Sequence, residues 1–266
     1  MRGTAADPNV VLSAEHPVRP TVAPAHPAAE SSATQPPATE PPATEPPATG
    51  ACPEPNPADP SGLLREGLAH IGLELSDAAV ERLMAYVGLL LKWNAVYNLT
   101  AIRDRTGMVV QHLLDSLAIV PVLQRQADLC HARIADVGSG AGLPGVPLAI
   151  TLPHSNVTLI ETVGKKSAFQ QQVQAELALT NVMIYKGRAE SLRQPHDVVI
   201  CRAFSSLREF VAASGHLGGP NALWVAMKGQ ASDEPPPPGM RLETVTISVP
   251  FLRARRHLAL LRRVTG

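Results

Sequence analysis

The strongest chemical signal in the chain is one short run: Asp136-Val137-Gly138-Ser139-Gly140-Ala141-Gly142-Leu143-Pro144-Gly145. It follows the apolar stretch Ile134-Ala135 and precedes an apolar helical pattern through Val146–Ile150. Residues without a Cβ let the backbone approach a ligand closely, and a strand-to-helix turn is where open α/β sheets bind nucleotides. Glu161 stands 23 residues beyond Gly138, at the end of the next β-branched run, the distance at which an acid meets ribose hydroxyls in such folds. Gly140-x-Gly142-x-x-Gly145 also satisfies the dinucleotide fingerprint, which would make the protein an NAD-dependent oxidoreductase. Two details argue against that. Pro144 removes an amide donor from the first turn of the helix, where a pyrophosphate wants one, and Asp136 sets an acid two residues before the first glycine. A nucleoside-binding module without catalysis is the reading from another functional class.

Other residues carry weaker signals. Trp93 and Tyr97 at i, i+4 fit core packing better than a base-stacking platform. His112 and Asp115 at i, i+3 fit a salt-linked pair on one helical face. Lys165-Lys166 and Arg253-x-Arg255-Arg256 read first as solvated faces. The three cysteines, Cys52, Cys130 and Cys201, form no CxxC, which points away from a disulfide scaffold or a cysteine-bound zinc and toward the cytoplasm. No metal is expected.

The elements that must position the loop follow from periodicity. Arg133–Val137, Asn156–Glu161, Asn181–Tyr185, Asp197–Cys201 and Ala222–Met227 read as strands alternating with helices, which implies a mostly parallel sheet covered on both faces. Glu243–Val249 and His257–Val264 read as an antiparallel hairpin finishing that sheet. Before them lies a helical preamble. Ser76 with Asp77 caps a helix whose Val80, Leu83, Met84, Val87, Leu90 and Leu91 form one stripe, and Val109–Leu123 is a second such segment.

Residues 1–60 differ in kind. They hold 15 of the 26 prolines, none of the nine aromatic residues, and the repeat Pro-Pro-Ala-Thr-Glu at 36–40 and 41–45, so they read as a disordered Pro/Ala/Thr-rich tail. With two basic and seven acidic side chains the tail has a net charge of −5, which leaves +5 on residues 61–266 behind an overall balance of zero. That excess permits contact with a polyanion without requiring it. The expected organisation is a tail over 1–60 and one domain over 61–266, its preamble at 61–125 and its Rossmann-like core at 133–266. Neither a membrane span nor a secretory signal is expected, and a monomer is.

Asp-x-Gly-x-Gly-x-Gly resembles the first motif of S-adenosylmethionine-dependent methyltransferases. The match extends further, through Lys92-Trp93-Asn94-x-x-Tyr97-Asn98-Leu99-Thr100, His112-x-x-Asp115-Ser116, Arg202-Ala203-Phe204 and Lys228-Gly229-Gln230. In this order, from about Leu63 to Val264, the chain resembles the RsmG (GidB) family, bacterial enzymes that methylate N7 of a guanine in 16S ribosomal RNA. The resemblance implies a class I methyltransferase fold with a seven-stranded sheet, and S-adenosyl-L-methionine as cofactor. It implies 16S ribosomal RNA or a small-subunit assembly intermediate as partner. Carried over residue by residue, it implies cofactor contacts from Asp136, Gly138, Gly140 and Leu143, from Glu161, from Ala189 and Glu190 flanking the adenine, and from Arg202. Lys165, Arg202 and Lys228, each just past a parallel strand, are the residues expected to position RNA. No general base is expected.

Overall fold

The computed structural model describes residues 59–202, 204–230 and 233–264. Residues 1–58, with the proline-rich repeat and Cys52, lie outside the described residues, as does Ala203. Two capped helices come first. Asp59 caps α1 (Pro60–His70) by accepting from the Gly62 amide, with Pro60 at the first helical position, and Ser76 caps α2 (Asp77–Tyr97) by accepting from the Ala79 amide. The apolar stripe of α2 buries Val80, Leu83, Val87 and Leu90 as the periodicity predicts, and also Tyr86 and Leu89; Met84 and Leu91 are half-buried.

The next segment departs from the expected plain helix. It runs as α3 (Arg105–Met108), a π-helical stretch over Val109–Leu114, α4 (Asp115–Leu117) and α5 (Val120–Gln126). The wider winding of a π stretch turns each residue through less than an α-helix does, so residues three apart no longer stack on one face. Arg105–Gln126 is long and apolar enough to cross a membrane by length and composition, but 78% of its most apolar window is buried inside the fold.

Seven strands form one sheet in the order β3-β2-β1-β4-β5-β7-β6. The strands are β1 (Arg133–Val137), β2 (Asn156–Glu161), β3 (Val182–Lys186), β4 (His196–Cys201), β5 (Gly218–Lys228), β6 (Met240–Ile247) and β7 (Arg256–Arg263). The first five pair in parallel, and β7 is antiparallel to both β5 and β6. This is the mostly parallel seven-stranded sheet expected from the sequence. The final hairpin forms as expected, with its second strand inserted inside the first. Leu258-Ala259-Leu260-Leu261 is buried on both faces and suits an interior position, while β6 alternates exposed and covered residues and suits an edge. Strand β5 starts at Gly218, earlier than the apolar run suggests, because its first residues pair with the start of β4.

Both faces of the sheet are covered. Ile134, Leu159, Ile200 and Val225 join α1, α2, the π stretch, α6 (Gly145–Thr151) and α7 (Gly164–Glu176) in one core cluster. Ala135, Val137, Val199 and Trp224 join α8 (Leu207–Ser214) in the other. The preamble therefore shares the core of the sheet, which holds the carboxyl ends of β1, β4 and β5 against the π stretch.

Candidate functional site

At the carboxyl end of β1 the chain turns through Gly138, Gly140 and Gly142, with φ of 72°, 60° and 86°. A Cβ built on each separates their roles. On Gly138 it meets nothing within 4 Å, and on Gly140 only the Gly138 carbonyl at 3.9 Å. On Gly142 it would lie 2.6 Å from Val146 Cγ2, and on Gly145 it would overlap Leu159 and lie 2.7 Å from Asp136 Oδ2. Gly142 and Gly145 are thus small because the protein fills the space; Gly138 and Gly140 face an open side, where a ligand can approach the backbone.

The loop is fixed from beneath on every side. The Gly138 and Ser139 amides donate to the Ile160 carbonyl at 2.9 and 3.1 Å, and the Gly140 amide donates to Glu161 Oε2 at 2.9 Å. Gln170 of α7 donates to Ser139 Oγ and to the Gly140 carbonyl, both at 2.8 Å. The Tyr86 hydroxyl of α2 donates to the Ala141 carbonyl at 2.8 Å. Burial drives the Tyr86 phenol well above its ordinary range, so it remains a donor. Neither Tyr86 nor Gln170 was legible as a loop contact in the sequence; Tyr86 was hidden inside an apolar stripe.

Asp136 lies beneath the loop and is 1% exposed. Its Oδ2 accepts from the Gly145 amide at 2.8 Å, while Oδ1 is buried with no partner among the described residues. Burial pushes its pKa up to about 7; the Gly145 hydrogen bond and Arg202 oppose the shift, and Glu161 adds to it. Pro144 proves to be the N-cap of α6, one position earlier than the sequence suggested, and the first helical amide is the one Asp136 takes. Glu161 is buried at the end of β2, where Oε1 also accepts from the Val163 amide at 2.8 Å.

The remaining expected residues spread along the same sheet end. Leu143 is buried in the loop. Ala189 and Glu190 form a 3-10 turn after β3; Ala189 is buried and its carbonyl accepts from His216 Nε2 at 3.1 Å, while Glu190 is exposed and pairs with Arg188 at 2.9 Å. Lys165, in the first turn of α7, is exposed and donates to the Tyr97 carbonyl at 3.0 Å. Lys228 is mostly covered, its ammonium 3.4 Å from Glu234 and near the Phe204 and Ser205 carbonyls. Trp93 packs against Phe169 and Tyr97, with ring centroids 5.6 and 5.1 Å apart, and leaves Tyr97 41% exposed.

Arg202, directly after β4, is held by the π stretch. Its Nη2 lies 3.0 Å from Asp115 Oδ2 and donates to the Gln111 carbonyl at 2.7 Å. Asp115 Oδ1 accepts from Arg256 Nε at 2.7 Å. The His112–Asp115 salt link that the spacing allows does not form, because the Asp115 carboxylate is taken by the two guanidiniums. His112 Nε2 instead meets Thr100 Oγ1 at 2.8 Å, and its Nδ1 donates to the Gln111 carbonyl. Burial and Arg202 push its pKa down to about 4, so the imidazole is neutral. Arg256 was read as a solvated cation, and its spacing gave no sign of a buried partner 141 residues away.

Residues 79–238 match the GidB family, described as rRNA small subunit methyltransferase G. The protein named Ribosomal RNA small subunit methyltransferase G of Burkholderia vietnamiensis (strain G4 / LMG 22486) is 48% identical over 206 residues, 74% of this chain and 89% of its own. That of Azoarcus sp. (strain BH72) is 47% identical over 209 residues, 76% of this chain and 96% of its own. Among solved structures, TrmN from Thermus thermophilus is 16% identical and covers 59% of this chain and 53% of its own, with a TM-score of 0.47.

Proposed function

Because the chain belongs to the GidB family of small-subunit ribosomal RNA methyltransferases, we propose that it methylates N7 of a guanine in 16S ribosomal RNA from S-adenosylmethionine. The observation that carries this reading is the open backbone at Gly138 and Gly140 beside buried Glu161, a cradle that fits a nucleoside. Gly138 and Gly140 would hold the amino-acid end of the cofactor, with Asp136 and Leu143 buried in the loop and shaping it from beneath, and Arg202 at the end of the neighbouring strand. Glu161 Oε2, which accepts from the Gly140 amide, has a second lone pair for a ribose hydroxyl, while Oε1 already accepts from the Val163 amide and the Thr162 hydroxyl. Ala189 and Glu190 would flank the adenine. The dinucleotide reading is weakened by Asp136, which occupies the first amide of α6 and so blunts the anion site a pyrophosphate needs.

Bound there, S-adenosylmethionine supplies an electrophilic methyl carbon on a sulfonium. Guanine N7 has a lone pair and no proton to lose, so no residue need act as a base. His112 agrees with this, since both of its ring nitrogens are engaged within the fold. The work left to the protein is alignment, with reacting atoms held about 3 to 3.5 Å apart. The target guanine must lie in a loop or an unstacked region, because a paired RNA helix hides its major groove. Lys165 is the exposed cation suited to phosphate at the rim, and Lys228, already engaged, is suited more to bracing the β5 end.

The decisive experiment is transfer of a radiolabelled methyl group to ribosomal RNA from cells lacking the enzyme, with the modified base mapped. Label at guanine N7 in small-subunit RNA is the expected result. A protein that binds the cofactor and labels no RNA would be the non-catalytic module.

A further inference from the structure

Beyond Arg202, on the side away from the glycine loop, a cavity of about 200 Å³ is lined by Asp115, Arg202, Met227, Lys228, Gly229 and Arg256. Its position follows from register. Asp136 pairs with Ile200, so Gly138 and Arg202 both lie two residues past that pair; Cys201 pairs with Ala226, and Lys228 with His257. The cavity thus starts beside the cofactor cradle and extends across β5 and β7, away from β1.

Its charge is unbalanced. Asp115 is 2% exposed and bridges two guanidiniums, each about one quarter exposed, while Lys228 is paired with Glu234. One carboxylate between two guanidiniums leaves one positive charge half-buried, and half-buried charge favours an anionic partner. Arg256 spends only Nε on Asp115, so both of its terminal nitrogens are without a hydrogen-bond partner among the described residues. Arg202 likewise has Nε and Nη1 unengaged among the described residues. Two guanidinium groups with unspent N–H donors, oriented by a shared buried carboxylate, match the oxygens of a phosphate.

We propose that this cavity is a phosphodiester subsite for the RNA strand carrying the target guanine, with Arg256 its principal donor and Asp115 the residue that positions it. The inference rests on the RNA methyltransferase reading above. Two other ligands fit less well. A guanidinium reading the guanine edge would bind O6 and N7 together and so block the nucleophile. The carboxylate of the cofactor would have to reach from β1 across β4 and β5 to Arg256 on β7, with strands about 4.8 Å apart. Methylation at N7 also leaves the base cationic, so a phosphate in this cavity offsets positive charge that would otherwise oppose product formation.

The test uses the full chain with undermethylated small-subunit RNA and saturating S-adenosylmethionine, comparing Arg256→Ala, Arg256→Lys and Arg253→Ala. Arg253 is an exposed cation outside the cavity and serves as the control for net charge. Arg256→Ala is expected to raise KM for RNA at least tenfold and to reduce the salt slope of RNA binding by about 0.7, the value for one lost single-strand phosphate contact. Melting temperature and cofactor affinity should stay close to wild type. Arg256→Lys, which keeps the charge and loses the fork, should recover the slope and only part of the KM. Wild-type KM and slope in a folded Arg256→Ala protein would overturn the subsite, as would an equal loss in Arg253→Ala. A loss of cofactor affinity in Arg256→Ala would assign the cavity to the cofactor carboxylate instead. Failure of the wild type to label any small-subunit RNA would count against the parent reading, and so is distinct from all of these.

Discussion

Two glycines of one loop differ in what they leave room for, and that difference is measurable. Gly138→Ala fills space that nothing in the protein occupies, at a φ of 72° that costs an L-residue about 1 to 2 kcal/mol. The expected outcome is a modest loss of stability with at least a tenfold loss of S-adenosylmethionine affinity by calorimetry. Gly145→Ala drives a methyl group into Leu159 and Asp136, so unfolding in denaturant should reveal a larger stability loss, of order 1 to 3 kcal/mol from overpacking. Equal effects of the two substitutions on binding and on stability would contradict this division. Asp136 gives a second prediction at the same scale. Its folded pKa is raised to about 7 from 3.8, so between about pH 4 and 7 the folded chain keeps a proton that the unfolded chain has released. Stability contributed by this group is therefore full below about pH 4, declines as pH rises through that window and levels off above it. Asp136→Asn, which still accepts from the Gly145 amide, should flatten that part of the stability profile; an unchanged decline would show that another group causes it.

The elements matter because they staple the loop from outside the sheet. Tyr86 on α2 reaches the Ala141 carbonyl, and Gln170 on α7 reaches Ser139 and Gly140, so two helices far apart in sequence set the shape of a turn neither belongs to. Tyr86→Phe keeps the packing and leaves a buried carbonyl unpaired, which costs about 1 to 3 kcal/mol. Part of that cost should appear as cofactor affinity lowered several-fold in titration calorimetry, because a less ordered loop must be ordered on binding. Full affinity together with lowered stability would limit Tyr86 to a packing role. The π stretch acts similarly on the other flank. Along it His112 turns to Thr100, while the Asp115 carboxylate takes Arg202 and Arg256.

For the whole molecule, the question is what residues 1–58 contribute to the domain that follows them. Composition argues that the proline-rich segment offers no apolar face, and the first described element opens on a cap: Asp59 accepts from the Gly62 amide and Pro60 opens α1. A chain beginning at Asp59 should melt with the full-length protein and transfer methyl groups at the same rate. Removing Asp59 and Pro60 as well should cost about 1 kcal/mol, the usual value of an N-cap, readable as a lowered denaturation midpoint. Loss of activity in the longer of the two truncated chains would show that the segment before Asp59 contributes to substrate engagement.

Much of this protein was determined locally and could be read from the sequence alone. The strands β1 and β2 end where their β-branched runs end, the Ser76 cap opens α2, and the glycine loop with Glu161 marks the proposed nucleoside cradle, because each depends on residues within a few positions of one another or on the fixed spacing of a strand-turn-helix unit. The tertiary structure decided what depends on contacts between distant segments. The order of β7 inside β6, the burial of Asp136 under its own loop, and the convergence of Asp115, Arg202 and Arg256 required the folded sheet. A side chain's partner across 141 residues is set by register and helix winding, and neither is encoded in the spacing of the residues that meet.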